Sequence, residues 1–173
     1  VHSNVAEPWR VTLVDTGLNT QTGARVKRVR KYIGEESFML TYGDGVSDVD
    51  LNALLAQHRA SGKTVTLTGV QPGGRFGVLD LDEAGTTVSG FREKAKEDGG
   101  WINGGFMVME PEVFGYLSAE EGCVLERTPL ETLAGDGKLG IYKHHDFWQC
   151  MDTQRDRGIL EDLWRTRCAP WKK

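Results

Sequence analysis

A layered α/β domain is the fold class this sequence predicts, and three observations predict it. Short runs rich in β-branched and aromatic residues alternate with stretches of helical periodicity. Glycine, proline or a capping residue punctuates the chain between those runs. Over 173 residues an apolar share of 39% supplies one packed core rather than several.

Residues 11–15 read as a strand ending in the turn Thr16-Gly17. Residues 25–33 read as a short basic helix whose Lys27, Arg28, Arg30 and Lys31 form a solvated face. The run 38–42 is apolar and stops at Gly43-Asp44-Gly45, the pattern of a strand buried on both faces. Asp50 stands where it would cap a helix carrying Leu51, Leu54, Leu55 and His58 on one side, and Gly62 where that helix would end. Residues 65–70 follow as a strand.

Beyond the Pro/Gly loop 71–74, residues 77–82 and 86–91 pair as a hairpin around a turn at 82–85. A second Gly-rich loop, 98–100, leads into a strand at 101–109. Pro111 opens a short helix to Leu117, and another helix is predicted at 125–133, ended near Gly135. Residues 139–142 and 147–151 read as short strands. A helix over 153–165 closes the chain, with Ile159, Leu160, Leu163 and Trp164 on one side. There is no internal repeat, low-complexity tract or linker, so residues 1–173 read as one domain.

The charge balance of −4 argues against a nucleic-acid binder. No apolar run has the length of about 18 residues that a membrane span needs. Residues 1–10 are polar, carry Pro8 and do not read as a secretory leader. An odd count of three cysteines without a CxxC pair does not read as a disulfide framework, and a reducing cytoplasm is expected. The chain opens on Val1 rather than methionine and is expected to be a piece of something longer.

Asp44 follows the apolar run 38–42, at the strand end where open α/β sheets place their ligand crevices. A carboxylate there suits Mg²⁺, which takes one or two carboxylates together with substrate phosphate oxygens. The same Gly-Asp-Gly also reads as a plain turn. Asp152 follows the run 147–151 and reads either as a second ligand of that ion or as part of a helix start whose N-cap is Asp152 or Thr153. Lys94 suits a phosphate as a point charge, or is an exposed lysine near Lys96. Asn103-Gly104-Gly105 reads as a bulge or a close-approach site inside a strand. Arg75-Phe76-Gly77 offers an arginine to a ligand or to the neighbouring ring. His144-His145-Asp146 is discounted as a metal site, because adjacent strand residues face opposite ways. Cys150 has no histidine partner assignable from spacing and does not read as a nucleophile.

Taken in order, several stretches carry a likeness. They are Glu7-Pro8-Trp9, Val11-Thr12-Leu13-Val14-Asp15-Thr16-Gly17, Thr22-Gly23 with Arg25, Thr41-Tyr42-Gly43-Asp44-Gly45 and Gly74-Arg75-Phe76-Gly77. Glu93-Lys94, Ile102-Asn103-Gly104-Gly105-Phe106, Phe147-Trp148-Gln149, Met151-Asp152-Thr153 and Ala169-Pro170-Trp171-Lys172 continue the series. The chain resembles the sugar-phosphate nucleotidyltransferases, most closely the glucose-1-phosphate cytidylyltransferases among them.

That resemblance implies a Rossmann-like, GT-A-like mixed sheet flanked by helices. It implies transfer of CMP from CTP to α-D-glucose 1-phosphate, giving CDP-glucose and pyrophosphate, in a cytoplasmic homo-oligomer. Asp44 and Asp152 would hold Mg²⁺ and Lys94 the sugar phosphate. Glu93, Asn103, Gly104 and Gly105 would line the sugar pocket, with Gly43, Arg75 and Gly77 as further substrate contacts. The sugar-phosphate oxygen would attack the α-phosphorus in line, without a covalent intermediate.

Two departures stand out. The family's Glu-Lys-Pro is Glu93-Lys94-Ala95 here, and nothing in residues 1–10 resembles the GGxGTR signature that cradles the triphosphate. The expectation is therefore the C-terminal portion of a nucleotidyltransferase domain, truncated at its N-terminus and inactive without the missing part. The alternatives are a non-catalytic sugar-phosphate-binding or oligomerisation remnant and a metal-dependent glycosyltransferase. Without the central strand that carries the signature, the strand at 38–42 is left with an open edge. That edge is expected to be covered by a second copy, by residues 1–10, or by residues 11–15.

Overall fold

The computed structural model describes residues 8–72, 78–81, 88–92 and 100–172. Its elements in order are α1 (Thr22–Arg28), α2 (Arg30–Ile33), β1 (Phe38–Leu40), β2 (Gly45–Ser47), α3 (Leu51–Ser61), β3 (Val65–Val70), β4 (Val78–Leu81) and β5 (Val88–Arg92). There follow β6 (Ile102–Met109), a 3₁₀ turn (Pro111–Gly115), α4 (Thr128–Gly135), β7 (Leu139–His144), β8 (Trp148–Cys150) and α5 (Gln154–Arg165).

The main sheet has the order β1-β6-β3-β7. Strand β6 runs antiparallel to β1 and β3, whereas β3 and β7 are parallel. Strands β1, β3 and β7 therefore all point one way, and their C-terminal ends share a rim with the start of β6. Two smaller ladders, β2 with β8 and β4 with β5, complete the β structure of the described residues.

Helices cover both faces. On one, Val26 of α1, Val113 and Phe114 of the 3₁₀ turn, and Leu130 and Leu133 of α4 pack with Val65, Met107 and Met109. On the other lies α3, started by the Asp50 carboxylate, which accepts from the amides of Asn52 (2.9 Å) and Ala53 (3.0 Å). Gly62 ends it in the left-handed conformation. Leu54 and His58 of α3 are buried. The His58 ring reaches Thr66 Oγ1 through Nδ1 (2.8 Å) and Glu110 Oε1 through Nε2 (2.9 Å).

The paired strands β4 and β5, with α3, β3, β6 and β7, lie close to where the sequence places them, while the turn expected at 82–85 lies outside the described residues. Four elements differ, each for a physical reason. Residues 11–15 form no strand. Their apolar alternation is strand-like, but a strand needs a paired neighbour and no described residue supplies one, so Leu13 is 93% exposed. The segment instead folds back through an Asx turn, Gly17 N–H donating to the Asp15 carboxylate at 2.9 Å.

Strand β1 is shorter than 38–42 and is not buried on both faces: it is the outer strand of the sheet, with Met39 half exposed. Its far edge is open among the described residues, and residues 11–15 do not cover it. Helix α4 starts at Thr128 rather than 125. Pro129 is pre-set for a first helical turn, while Leu125 turns inward to the core. The basic helix predicted at 25–33 begins earlier, at Thr22, and breaks at Val29 into α1 and α2.

Thr68 on β3 is fully buried, and its hydroxyl has no hydrogen-bond partner among the described residues. Replacing it with the isosteric Thr68→Val is expected to raise the unfolding free energy by about 1–2 kcal/mol in urea titrations, since an unsatisfied buried hydroxyl is removed. A loss of stability would contradict this.

Glu110 gives a pH-dependent counterpart. The Ser37 hydroxyl donates to its carboxylate, and this first, with the His58 ring second, holds the Glu110 carboxyl below its ordinary value. A depressed folded-state value stabilises above the unfolded value, and that stability is lost as pH falls through and below the usual carboxylate range. The stability advantage over Glu110→Gln is thus expected at pH 7 and to shrink on acidification. A gap that widens in acid would contradict it.

Candidate functional site

The site begins with the β2–β8 ladder, which pairs Gly45 with Cys150, Val46 with Gln149 and Ser47 with Trp148. One position further, the Met151 amide donates to the Asp44 carbonyl at 2.9 Å. Asp152 is the next residue. Asp44 and Asp152, remote in sequence, are therefore one residue apart in ladder register, at the sheet rim formed by the C-terminal ends of β1, β3 and β7.

The ladder is locked at both ends. At the far end, His144 Nε2 lies 3.0 Å from the Asp48 carboxylate and 3.1 Å from the Phe147 carbonyl, and so carries the hydrogen. The Phe147 amide also donates to Asp48, at 3.0 Å. His144 is thus committed to holding β2, β7 and β8 together.

At the near end a capping box starts α5. Thr153 Oγ1 accepts from the Asp156 amide (3.2 Å), and the Asp156 carboxylate accepts from the Thr153 amide (3.0 Å) and hydroxyl (2.8 Å). Gln149 adds a bond to Asp156 at 3.1 Å. The cap is therefore Thr153, and the N-cap reading of Asp152 falls away.

Asn103 and its glycines join from β6. Asn103 Nδ2 donates to the Tyr42 hydroxyl (3.2 Å), and its Oδ1 accepts from the Gly105 amide (2.9 Å). Trp148 Nε1 donates to the Gly104 carbonyl at 2.8 Å, tying β8 to β6. Both glycines are required by space. A Cβ on Gly104 would meet the Val70 side chain at 2.9 Å, and one on Gly105, at φ +86°, would meet the Tyr42 ring at 2.6 Å.

Tyr42 in turn donates to Glu126 Oε1 at 2.5 Å, and the other oxygen of Glu126 accepts from Thr22 Oγ1 at 2.7 Å. Burial first, then the Glu126 carboxylate, push the Tyr42 phenol well above its ordinary value, so it stays protonated.

Asp44 and Asp152 are both exposed, and neither carboxylate takes a hydrogen bond or ion pair among the described residues. Two uncommitted hard-oxygen donors fit Mg²⁺, which draws the rest of its shell from water and phosphate. No group of three or more potential ligands occurs among the described residues.

With this geometry in place the comparisons are specific. A family model described as nucleotidyl transferase matches residues 11–166. The chain belongs to the nucleotidyl transferase family. It is 50% identical to proteins named glucose-1-phosphate cytidylyltransferase from Salmonella typhi and Salmonella typhimurium, over 99% of this chain. It spans 66% of the length of those relatives. Its fold is similar to the crystal structure of HddC from Yersinia pseudotuberculosis, with a TM-score of 0.61, 20% identity, 83% of this chain covered and 62% of the other. The α/β mixed sheet is accordingly the Rossmann-like sheet of the nucleotidyltransferases.

Of the residues singled out in the sequence, this nucleotidyltransferase chain gathers Gly43, Asp44, Asn103, Gly104, Gly105 and Asp152 at one rim. Arg75, Gly77, Glu93 and Lys94 lie outside the described residues. Glu126 carries no sequence signal for this role, and Tyr42 and Trp148 stand in motif stretches that do not indicate theirs. Glu126 sits in an unpatterned turn, 84 residues from Tyr42, and offers no local signal.

Substituting Gly105→Ala is expected to destabilise by about 2–4 kcal/mol, combining left-handed backbone strain with overpacking against Tyr42. Urea denaturation measures it, and an unchanged midpoint would contradict the tight Tyr42–Gly105 packing.

Proposed function

We propose that this chain is the C-terminal portion of a domain that transfers CMP from CTP to α-D-glucose 1-phosphate, releasing pyrophosphate and forming CDP-glucose. One observation carries the reading: Asp44 and Asp152 arrive at adjoining ladder positions with no other described partner. The 50% identity to proteins named glucose-1-phosphate cytidylyltransferase supports the choice of nucleotide and sugar. The family match favours this reading over a glycosyltransferase.

Asp44 and Asp152 would hold Mg²⁺, which supplies neutralisation of phosphate charge. The chain's own residues do the rest by positioning. The capping box and the His144–Asp48 lock fix the two strand ends, so the carboxylates need not reorganise when phosphate arrives. Asn103 is held by the Gly105 amide and Tyr42, and so presents a fixed amide beside the rim, suited to sugar hydroxyls. Lys94 and Glu93 complete the reading as contacts to the sugar phosphate and the sugar, with Gly43, Arg75 and Gly77 as further substrate contacts. A cytoplasmic location and self-association belong to the same proposal. Among the described residues no helix is long and apolar enough to cross a membrane.

The test is pyrophosphate release with CTP, glucose 1-phosphate and Mg²⁺. It is run on this chain and on a fusion to the part of the Salmonella typhi relative outside the match. The fusion is expected to turn over, with Asp44→Asn and Asp152→Asn each reducing kcat by about 100-fold or more, the scale of removing a preorganised charge-stabilising group. Calorimetry showing glucose 1-phosphate binding by the fusion with no CTP binding and no turnover would instead indicate a non-catalytic remnant.

A further inference from the structure

We infer that Glu126 is a positioning residue for the Asp44 carboxylate, acting through the Tyr42 hydroxyl; the inference rests on reading Asp44 and Asp152 as an Mg²⁺ pair. Glu126 lies just before α4, remote in sequence from both aspartates. Its two oxygens are divided between two hydroxyls, Tyr42 at 2.5 Å and Thr22 at 2.7 Å. The Thr22 oxygen also accepts from the Leu125 amide at 3.0 Å, so the end of the 125–127 turn is anchored on α1. Glu126 is thereby held from one side by α1 and itself holds Tyr42 on the other.

Tyr42 is two residues before Asp44, beyond the last paired residue of β1. Between Leu40 and Gly45 the backbone has no ladder partner among the described residues, apart from the bond that Asp44 makes to Met151. The Tyr42 side chain is what fastens that stretch. Its ring packs on the open α-carbon of Gly105, and its hydroxyl accepts from Asn103 while donating to Glu126. Gly43, exposed and without a side chain, transmits no restraint of its own. The direction in which Asp44 leaves the rim is therefore set by Tyr42 on one side and Met151 on the other. Glu126 is the charged acceptor that orients the tyrosine.

Supporting partners one step removed from a metal-binding carboxylate typically change affinity by about 10–100-fold. A role through charge alone is separable from one through geometry. Tyr42→Phe keeps the Glu126 charge and breaks the link, together with the Asn103 bond to the same hydroxyl, whereas Glu126→Ala removes the charge and the link but leaves the Asn103 bond.

The probe is Mn²⁺ alone, its free concentration followed by electron paramagnetic resonance, with circular dichroism and melting recorded on every variant. Tyr42→Phe and Glu126→Ala are each expected to weaken Mn²⁺ binding about 10-fold, the lower end of that range, while the secondary structure is kept. The double variant is expected to lose no more than the larger of the two single losses, because the two residues act in series. Unchanged Mn²⁺ affinity in Tyr42→Phe overturns the inference, and so do additive losses. Asp44→Asn separates the two levels. Should it leave Mn²⁺ binding intact, the metal reading fails and this inference falls with it. If Asp44→Asn abolishes binding and Tyr42→Phe does not, the positioning role alone is wrong.

Discussion

Three antiparallel residue pairs between β2 and β8 bring the two halves of the candidate site together. An antiparallel ladder fixes register in whole residues, so once Gly45 faces Cys150, Asp44 falls opposite Met151 and Asp152 follows one position on. Such a short ladder is not stable alone in water. Here it is fastened by side chains at both ends: His144 and Asp48 at one, the Thr153–Asp156 capping box at the other. Trp148 ties it sideways to the main sheet through the Gly104 carbonyl. The exposed carboxylates are thus mounted on a rigid frame while their own oxygens remain available.

The frame also explains why glycine recurs around the rim. Gly104 and Gly105 are not flexible spacers: each marks a point where a side chain, Val70 or Tyr42, already occupies the space a Cβ would need. Tyr42 takes up the room that Gly105 leaves, and its hydroxyl then links β6, through Asn103, to Glu126 and α1. Packing and hydrogen bonding in this region are one system, so a change at any member is expected to be felt at the others.

Much of this was legible in the sequence. Local signals were strong where they were physical necessities: the Asp50 cap and Gly62 stop of α3, the β-branched run of β3, and the Pro111 start of the 3₁₀ turn. The motif stretches around Asp44, Asn103 and Asp152 announced the rim, and the family resemblance joined them. The alternation at residues 11–15 announced a strand and could not say whether a partner exists, and pairing decides. The 38–42 run by itself read as a strand buried on both faces, whereas the missing signature strand pointed to the open edge that β1 has among the described residues. The roles of Glu126 and Trp148 arise from contacts between distant segments, and no pattern within either segment encodes them. Two aspartates each had a plain structural alternative in the sequence. For Asp152 that alternative was a cap made by Asp152 or Thr153, and the structure gives it to Thr153, leaving the Asp152 carboxylate out of the cap.

The central claim is that Asp44 and Asp152 share one divalent ion. Crystals of the protein soaked in Mn²⁺ test it directly by anomalous diffraction. The account predicts a single strong peak bridging the two carboxylates at the rim, absent in Asp152→Asn. Two separate peaks, or a peak elsewhere with both aspartates bare, would contradict it.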